Sequence, residues 1–69
     1  MNERLIALTA ILLTIDGDTV ISIQQPSAFV KWTATCREDF RKYIMEILTC
    51  CHQFHIEYEI YKNTITFYI

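Results

Sequence analysis

The run IEYEIYKNTITFYI, residues 56–69, leaves this chain little choice of structure. Taken two at a time, Ile56, Tyr58 and Ile60 fall on one face of an extended chain, with Glu57, Glu59 and Tyr61 on the other. Beyond Lys62-Asn63, Ile65, Phe67 and Ile69 share one face and Thr64, Thr66 and Tyr68 the opposite one. Alternation of this kind marks half-buried strands, and β-branched and aromatic side chains suit a pleated surface. Folding the run at Lys62-Asn63 sets Tyr61 opposite Thr64, Ile60 opposite Ile65, Tyr58 opposite Phe67 and Ile56 opposite Ile69. A slip of one residue would scatter these apolar partners, so the pattern specifies the register. Asn63 is expected to take the left-handed backbone of the turn, and Ile69 to be a cross-strand partner of Ile56.

The segment LLTIDGDTVISI carries a second hairpin signal. Asp16-Gly17 reads as its turn, Leu5 to Ile15 as a first strand, and Val20, Ile21 and Ile23 as part of the next. The first strand is apolar on both faces, as in a strand covered from both sides. A helix from Asn2 to Leu13 is the rival, since Ala and Leu are good helix formers; the Asp-Gly signal favours the strand. Gln25-Pro26-Ser27 reads as a turn and Ala28 to Trp32 as a short third strand.

A helix follows in TATCREDFRKYIMEILTCCHQF. Thr35 and Glu38 match a capping box. Glu38 and Asp39 sit where the helix dipole favours anions, and Glu38 and Lys42 form a well-oriented i,i+4 pair. Phe40, Tyr43, Ile44, Ile47, Leu48 and Cys51 line one face, with Arg37, Arg41, Lys42, Glu46, Thr49 and Gln53 on the other. The elements together predict one α+β domain over residues 1–69. It has a small antiparallel sheet of four to five strands, β-β-(β)-α-β-β, and one amphipathic helix packed on one face.

A domain of 69 residues buries only about 60% of its unfolded surface. Yet 52% of this one is hydrophobic and 20% charged, with net charge −2. That balance excludes a disordered chain and offers no general pull toward phosphates, which argues against nucleic acid as a partner. The acidic excess is too small for a DNA mimic. Three cysteines, two of them adjacent at Cys50 and Cys51, do not form the even, spaced set of a secreted mini-protein. They imply free thiols and a cytoplasmic setting. The apolar run near the start is shorter than the roughly 20 residues that span a bilayer, and no small-x-small cleavage site follows it.

The cluster CCHQFH, residues 50–55, has the most chemical potential. Cys51 and His55 stand at i,i+4, a spacing that suits zinc or a Cys-His dyad. The remaining ligands are missing. Cys36 lies roughly 20 Å or more away by helical rise, His52 points to another face, and no glycine-containing turn supplies oxyanion donors. The expectation is therefore that Cys51 is a core residue, that Cys50, His52 and His55 decorate the helix end, and that no metal, cofactor or catalytic residue is present. Asp16-Gly17-Asp18 is a fragment of a calcium loop without the other ligands.

Glu57 and Glu59, with Tyr61 and Tyr68, form an amphipathic outer face. Its carboxylates would repel phosphates from the aromatic rings. These four residues are the candidate partner-binding set. A sheet covered by one helix, with a first strand apolar on both sides, leaves apolar area over, and such patches mark interfaces. The expectation is a small non-enzymatic protein-interaction module that is homodimeric and binds another protein. By type rather than by motif, that suits a phage- or virus-encoded inhibitor or modulator of a larger host enzyme, of the anti-CRISPR or anti-restriction kind. The alternatives are a small Cys/His-dependent hydrolase or metal-dependent enzyme subunit, and a nucleic-acid-binding regulator. No motif assigns the chain to a family.

Overall fold

The computed structural model describes residues 3–24 and 27–69. Two helices and four strands follow one another as α1 (Glu3–Thr14), β1 (Gly17–Gln24), β2 (Ser27–Ala34), α2 (Arg37–Phe54), β3 (Glu57–Tyr61) and β4 (Thr64–Tyr68). The strands form one antiparallel sheet in the order β1-β2-β4-β3. The fold is α+β, with both helices contributing to the core on one face of the sheet. Leu8 and Leu12 of α1 meet Ile47, Cys50 and Cys51 of α2 over Val30, Trp32, Ala34, Ile65 and Phe67 of the sheet. The Trp32 and Phe40 rings stack across the helix–sheet junction, 6.5 Å between centroids.

The C-terminal hairpin has the register expected of it: Tyr58 pairs with Phe67, Ile60 with Ile65 and Tyr61 with Thr64. Its details differ in two places. Lys62, not Asn63, takes the left-handed backbone, at φ 54°. Asn63 works instead across the sheet: its side-chain Nδ2 donates to the Ala34 carbonyl and its own carbonyl accepts the Ala34 N–H, both at 3.0 Å. The β3–β4 ladder ends at Glu57 and Tyr68. Ile69 is held from the other side, exchanging backbone hydrogen bonds with Ala28 at 2.9 and 3.4 Å. The expected third strand is present as β2; Gln25 and Pro26 lie outside the described residues.

The expected first strand is a helix, so the order opens α-β rather than β-β and the sheet has two helices on it, not one. Leu5, Ala7, Leu8, Ala10, Leu12 and Leu13 are helix formers, and Glu3 lies in the first turn, where the dipole favours it. Leu8 and Leu12, four apart, are buried together while Ile6 and Leu13 are exposed. A strand would put Ile6, Leu8 and Leu12 on one face. Asp16-Gly17 is accordingly a helix-to-strand junction and no hairpin turn. Gly17 is needed for another reason: a Cβ there would stand 2.5 Å from Trp32 Nε1 and 2.6 Å from the Thr33 carbonyl oxygen.

The capping box of α2 does not form. Cys36 is the N-cap and makes no side-chain cap bond. The Thr35 hydroxyl donates to the Asp39 carboxylate at 2.6 Å, and this bond leads the effects that hold the Asp39 pKa below its ordinary value.

Candidate functional site

Three surfaces are built by this arrangement. The first is the outer face of the sheet. Because β-strand side chains alternate, the register brings Glu57, Tyr68, Phe29 and Ser22 into one cross-strand row. Glu59, Thr66, Lys31 and Val20 form the next, and Tyr61, Thr64, Thr33 and Asp18 a third. All four candidate partner-binding residues, Glu57, Glu59, Tyr61 and Tyr68, therefore share one solvent-facing surface. Tyr61 is 72% exposed and Tyr68 43%. Local desolvation, and then the neighbouring Glu59 carboxylate, push the Tyr68 phenol above its ordinary pKa. Cations hover beside the rings: Lys62 Nζ lies 5.5 Å from the Tyr61 centroid and Lys31 Nζ 5.9 Å from that of Phe29. Phe29 and Lys31 were not among the expected site residues. Their alternation with the buried Val30 and Trp32 puts them on the outward face of β2, and the pairing of β2 with β4 sets them beside Tyr68 and Thr66.

The second is the C-terminal end of α2, where the Cys-His cluster lies. The helix stops at Phe54, one residue short of what an i,i+4 dyad requires. His55 takes the left-handed conformation (φ 55°, ψ 47°) and donates its backbone N–H to the Cys51 carbonyl. The Ile56 N–H reaches the same carbonyl at 2.9 Å. His55 thus serves as a helix-terminating residue of the Schellman type, a position that histidine tolerates better than most non-glycine residues. Cys51 forms part of the wall of an open cleft of about 320 Å³ with His52, His55 and Glu57, but it is only 1% exposed. Burial, reinforced by the adjacent Cys50, pushes its thiol up to about 11. A thiol held neutral in this way is a poor nucleophile and a poor ligand. Cys50 does not decorate the helix end as expected. It is 3% exposed, because Ile47, Cys50, Cys51 and Phe54 continue the helix's inward face at i, i+3, i+4 and i+7, and burial raises its pKa too. Cys36 is an exposed free thiol. Among the described residues no three of His, Cys, Asp and Glu converge as a metal-binding group.

The third surface is apolar and was not expected at this place. On the helix-bearing side, the outer flank of α1 and the edge strand β1 enclose a groove of about 430 Å³ lined by Leu5, Ile6, Ala10, Leu13, Ile21 and Ile23. Thr9 also faces it, and its hydroxyl is buried without a hydrogen-bond partner. Ile6, Leu13, Ile21 and Ile23 are between 44% and 74% exposed. The sequence signal was the apolar character of residues 5–15 on both sides. One side of α1 packs on the core and the other lines this groove.

Among the described residues no helix is long and apolar enough to cross a membrane. The chain matches no protein-family model, no curated protein and no solved structure.

Proposed function

We propose that this protein is a small non-enzymatic interaction module that binds itself, as a homodimer, and a second protein. The observation that carries the reading is the α1/β1 groove, where four large aliphatic side chains stand largely open to water in a domain of only 69 residues. Contiguous apolar surface of this kind marks protein–protein contact sites. The ground for self-association has shifted. The leftover apolar area lies on the outer flank of α1 and on β1, not on a strand exposed on two sides.

The outer sheet face supplies the second surface. Tyr61 and Tyr68 are aromatic anchors flanked by Glu57 and Glu59, an arrangement common in binding hot spots. A chain with binding surface on both sides of one sheet suits an inhibitor or modulator of a larger enzyme or complex, as phage-encoded blockers of the anti-CRISPR or anti-restriction kind are. The raised Cys51 thiol weighs against a Cys-His hydrolase, and the acidic outer face weighs against nucleic acid.

The test is co-purification from the native source with tagged wild type and single variants. Tyr61→Ala or Tyr68→Ala is expected to weaken capture of one specific partner by ~30-fold or more, the effect of losing about 2 kcal/mol at a hot spot. Cys36→Ser, Cys50→Ala and Cys51→Ala, checked for folding, should leave it intact. Loss of biological activity in a folded cysteine variant, with both tyrosine variants silent, would replace this reading with the enzyme one.

A further inference from the structure

We propose that the α1/β1 groove is covered by a second copy of this chain, joined edge to edge through β1, so that two four-stranded sheets become one antiparallel eight-stranded sheet. This rests on the interaction reading above and deepens it by naming the groove's occupant and its mode of attachment.

The first support is the direction of the backbone groups. Ala28 exchanges hydrogen bonds with Ile69, and the Ala34 N–H donates to Asn63. Ala28, Val30, Trp32 and Ala34 therefore turn their amides and carbonyls toward β4. Antiparallel ladders alternate, so Ser27, Phe29, Lys31 and Thr33 turn theirs toward β1, where they meet Gln24, Ser22, Val20 and Asp18. Gly17, Thr19, Ile21 and Ile23 are left with N–H and C=O groups aimed away from the sheet. Among the described residues, no turn, loop or cap hydrogen bond reaches them.

The second support is the contrast between the two edges. Natural sheets guard their free edges with charge and short strands. β3 does so, with five residues that include Glu57 and Glu59. β1 has eight residues, extends roughly 27 Å, and carries no charged side chain from Thr19 to Gln24. Val20, Ile21 and Ile23 are instead 59%, 44% and 64% exposed.

The third support is self-complementarity, which favours a second copy over an unrelated strand. An antiparallel pair can be two-fold symmetric, with the same strand on both sides. Centred on Ile21, β1 sets Ile21 against its own copy and Thr19 against Ile23, and these are the residues whose backbone groups point outward. Asp18 then meets Gln24, so no like charges face each other in a chain of net charge −2. Ile21 and Ile23 of both copies meet on the helix side, which closes each groove with the other copy's β1 and α1 flank. The size fits as well. A stable interface removes about 800 Å² from each partner, roughly a sixth of the 4944 Å² that this chain exposes, or about one side of the body. Groove and free edge occupy one side.

The test uses the full chain in two measurements. Light scattering over a dilution series is expected to show a dimer at micromolar concentration. Ile21→Lys should weaken it by ~30-fold or more, and Glu59→Lys on the opposite edge should leave it unchanged. Amide hydrogen exchange on the unmutated protein reads the same contact without risk to folding. In the dimer the Thr19, Ile21 and Ile23 amides should exchange slowly and lose that protection on dilution, whereas Val20 and Ser22 stay protected throughout. A monomer at high concentration overturns the proposal, as does a dimer in which Thr19, Ile21 and Ile23 exchange freely or that Ile21→Lys does not weaken. A monomer that still captures its partner protein through Tyr61 and Tyr68 would leave the interaction reading standing while this inference fell.

Discussion

Gly17→Ala tests the packing at the point where β1 leaves the helix layer. No glycine in the described chain has positive φ, so alanine is free of backbone strain there. By itself the change would then stabilise the fold by about 0.4–1 kcal/mol, because it restricts the unfolded chain. The contact reverses that sign. The new methyl carbon would meet Trp32 Nε1 at 2.5 Å, the Thr33 carbonyl oxygen at 2.6 Å and Trp32 Cε2 at 2.8 Å. Trp32 is fully buried and Thr33 O belongs to the neighbouring strand, so neither can swing away. Overpacking of this kind costs about 1–3 kcal/mol. The balance is a net loss of about 1–2 kcal/mol, or a fall of roughly 5–15 °C in Tm for a domain this small. The assay is urea and thermal unfolding followed by circular dichroism, at one fixed protein concentration because self-association shifts apparent stability. The same change in a Trp32→Phe background should cost measurably less, since the indole nitrogen is gone. If Gly17→Ala is as stable as wild type, or costs the same in both backgrounds, the close approach of Trp32 is not why glycine stands there.

Three further outcomes follow from the helices. Leu8→Ala, at a fully buried position of α1, should cost about 2–5 kcal/mol, and Ile6→Ala less than half as much in dilute protein. A strand over residues 5–15 would put both on one face and make the costs alike. The cysteines give a pH dependence. With the Cys51 thiol pushed from 9.0 up to about 11 in the fold, the unfolded chain loses this proton first. Its contribution is whole below pH 9 and drains away between pH 9 and about 11. Wild type should therefore lose stability more steeply than Cys51→Ala across that window in denaturant melts. At pH 8 a thiol reagent should label the exposed Cys36 well ahead of Cys50 and Cys51.

The C-terminal hairpin was legible because its information is local: strict alternation from Ile56 to Ile69 and a two-residue turn allow one register. Helix α2 was legible for the same reason, through the recurrence of Phe40, Tyr43, Ile44 and Ile47. The first element was not. A helix that is apolar on two sides, with Leu8 and Leu12 toward the core and Ile6 and Leu13 toward a groove, lacks the polar stripe that reveals a helical period. Over eleven residues it cannot be told from a buried strand. Asp16-Gly17 then misled, because the requirement for glycine comes from Trp32, fifteen positions away, and not from a turn. Cys50 was misplaced through a helix face drawn one column too narrow. Of the site, the grouping of Glu57, Glu59, Tyr61 and Tyr68 was readable from register alone. Phe29 and Lys31 joined it only when β2 took its place between β1 and β4, a long-range pairing that no local pattern encodes. The groove needed the same non-local knowledge, since its two walls come from separate elements.

The two candidate binding surfaces hang from opposite sides of the same strands, which makes them separable by neighbouring residues. Within β1, Val20 lies in the outer-face row with Lys31 and Glu59, and Ile21 faces the groove. On β3 and β4, Glu59 and Tyr68 point outward while Ile65 and Phe67 are core. Changes at Tyr61 or Tyr68 leave the helix-side layer untouched, and changes at Ile21 or Ile23 leave the tyrosine surface untouched. Sites without shared partners combine additively to within about 0.5 kcal/mol. A protein that used one surface for self-association and the other for a partner would obey that sum in the double variant Ile21→Lys/Tyr61→Ala. Edge pairing would also set the two outer faces side by side on one eight-stranded sheet. A partner with two matching sites would then be held by both at once, and Ile21→Lys alone would weaken its capture, because the second contact has lost its high effective concentration. Tyr61→Ala weakens two contacts in the dimer but one in the monomer, so the double variant would lose less than the sum. Unchanged capture by Ile21→Lys with an additive double variant therefore indicates a partner engaged by one outer face alone, and a loss in Ile21→Lys with a less-than-additive double variant a partner that spans both.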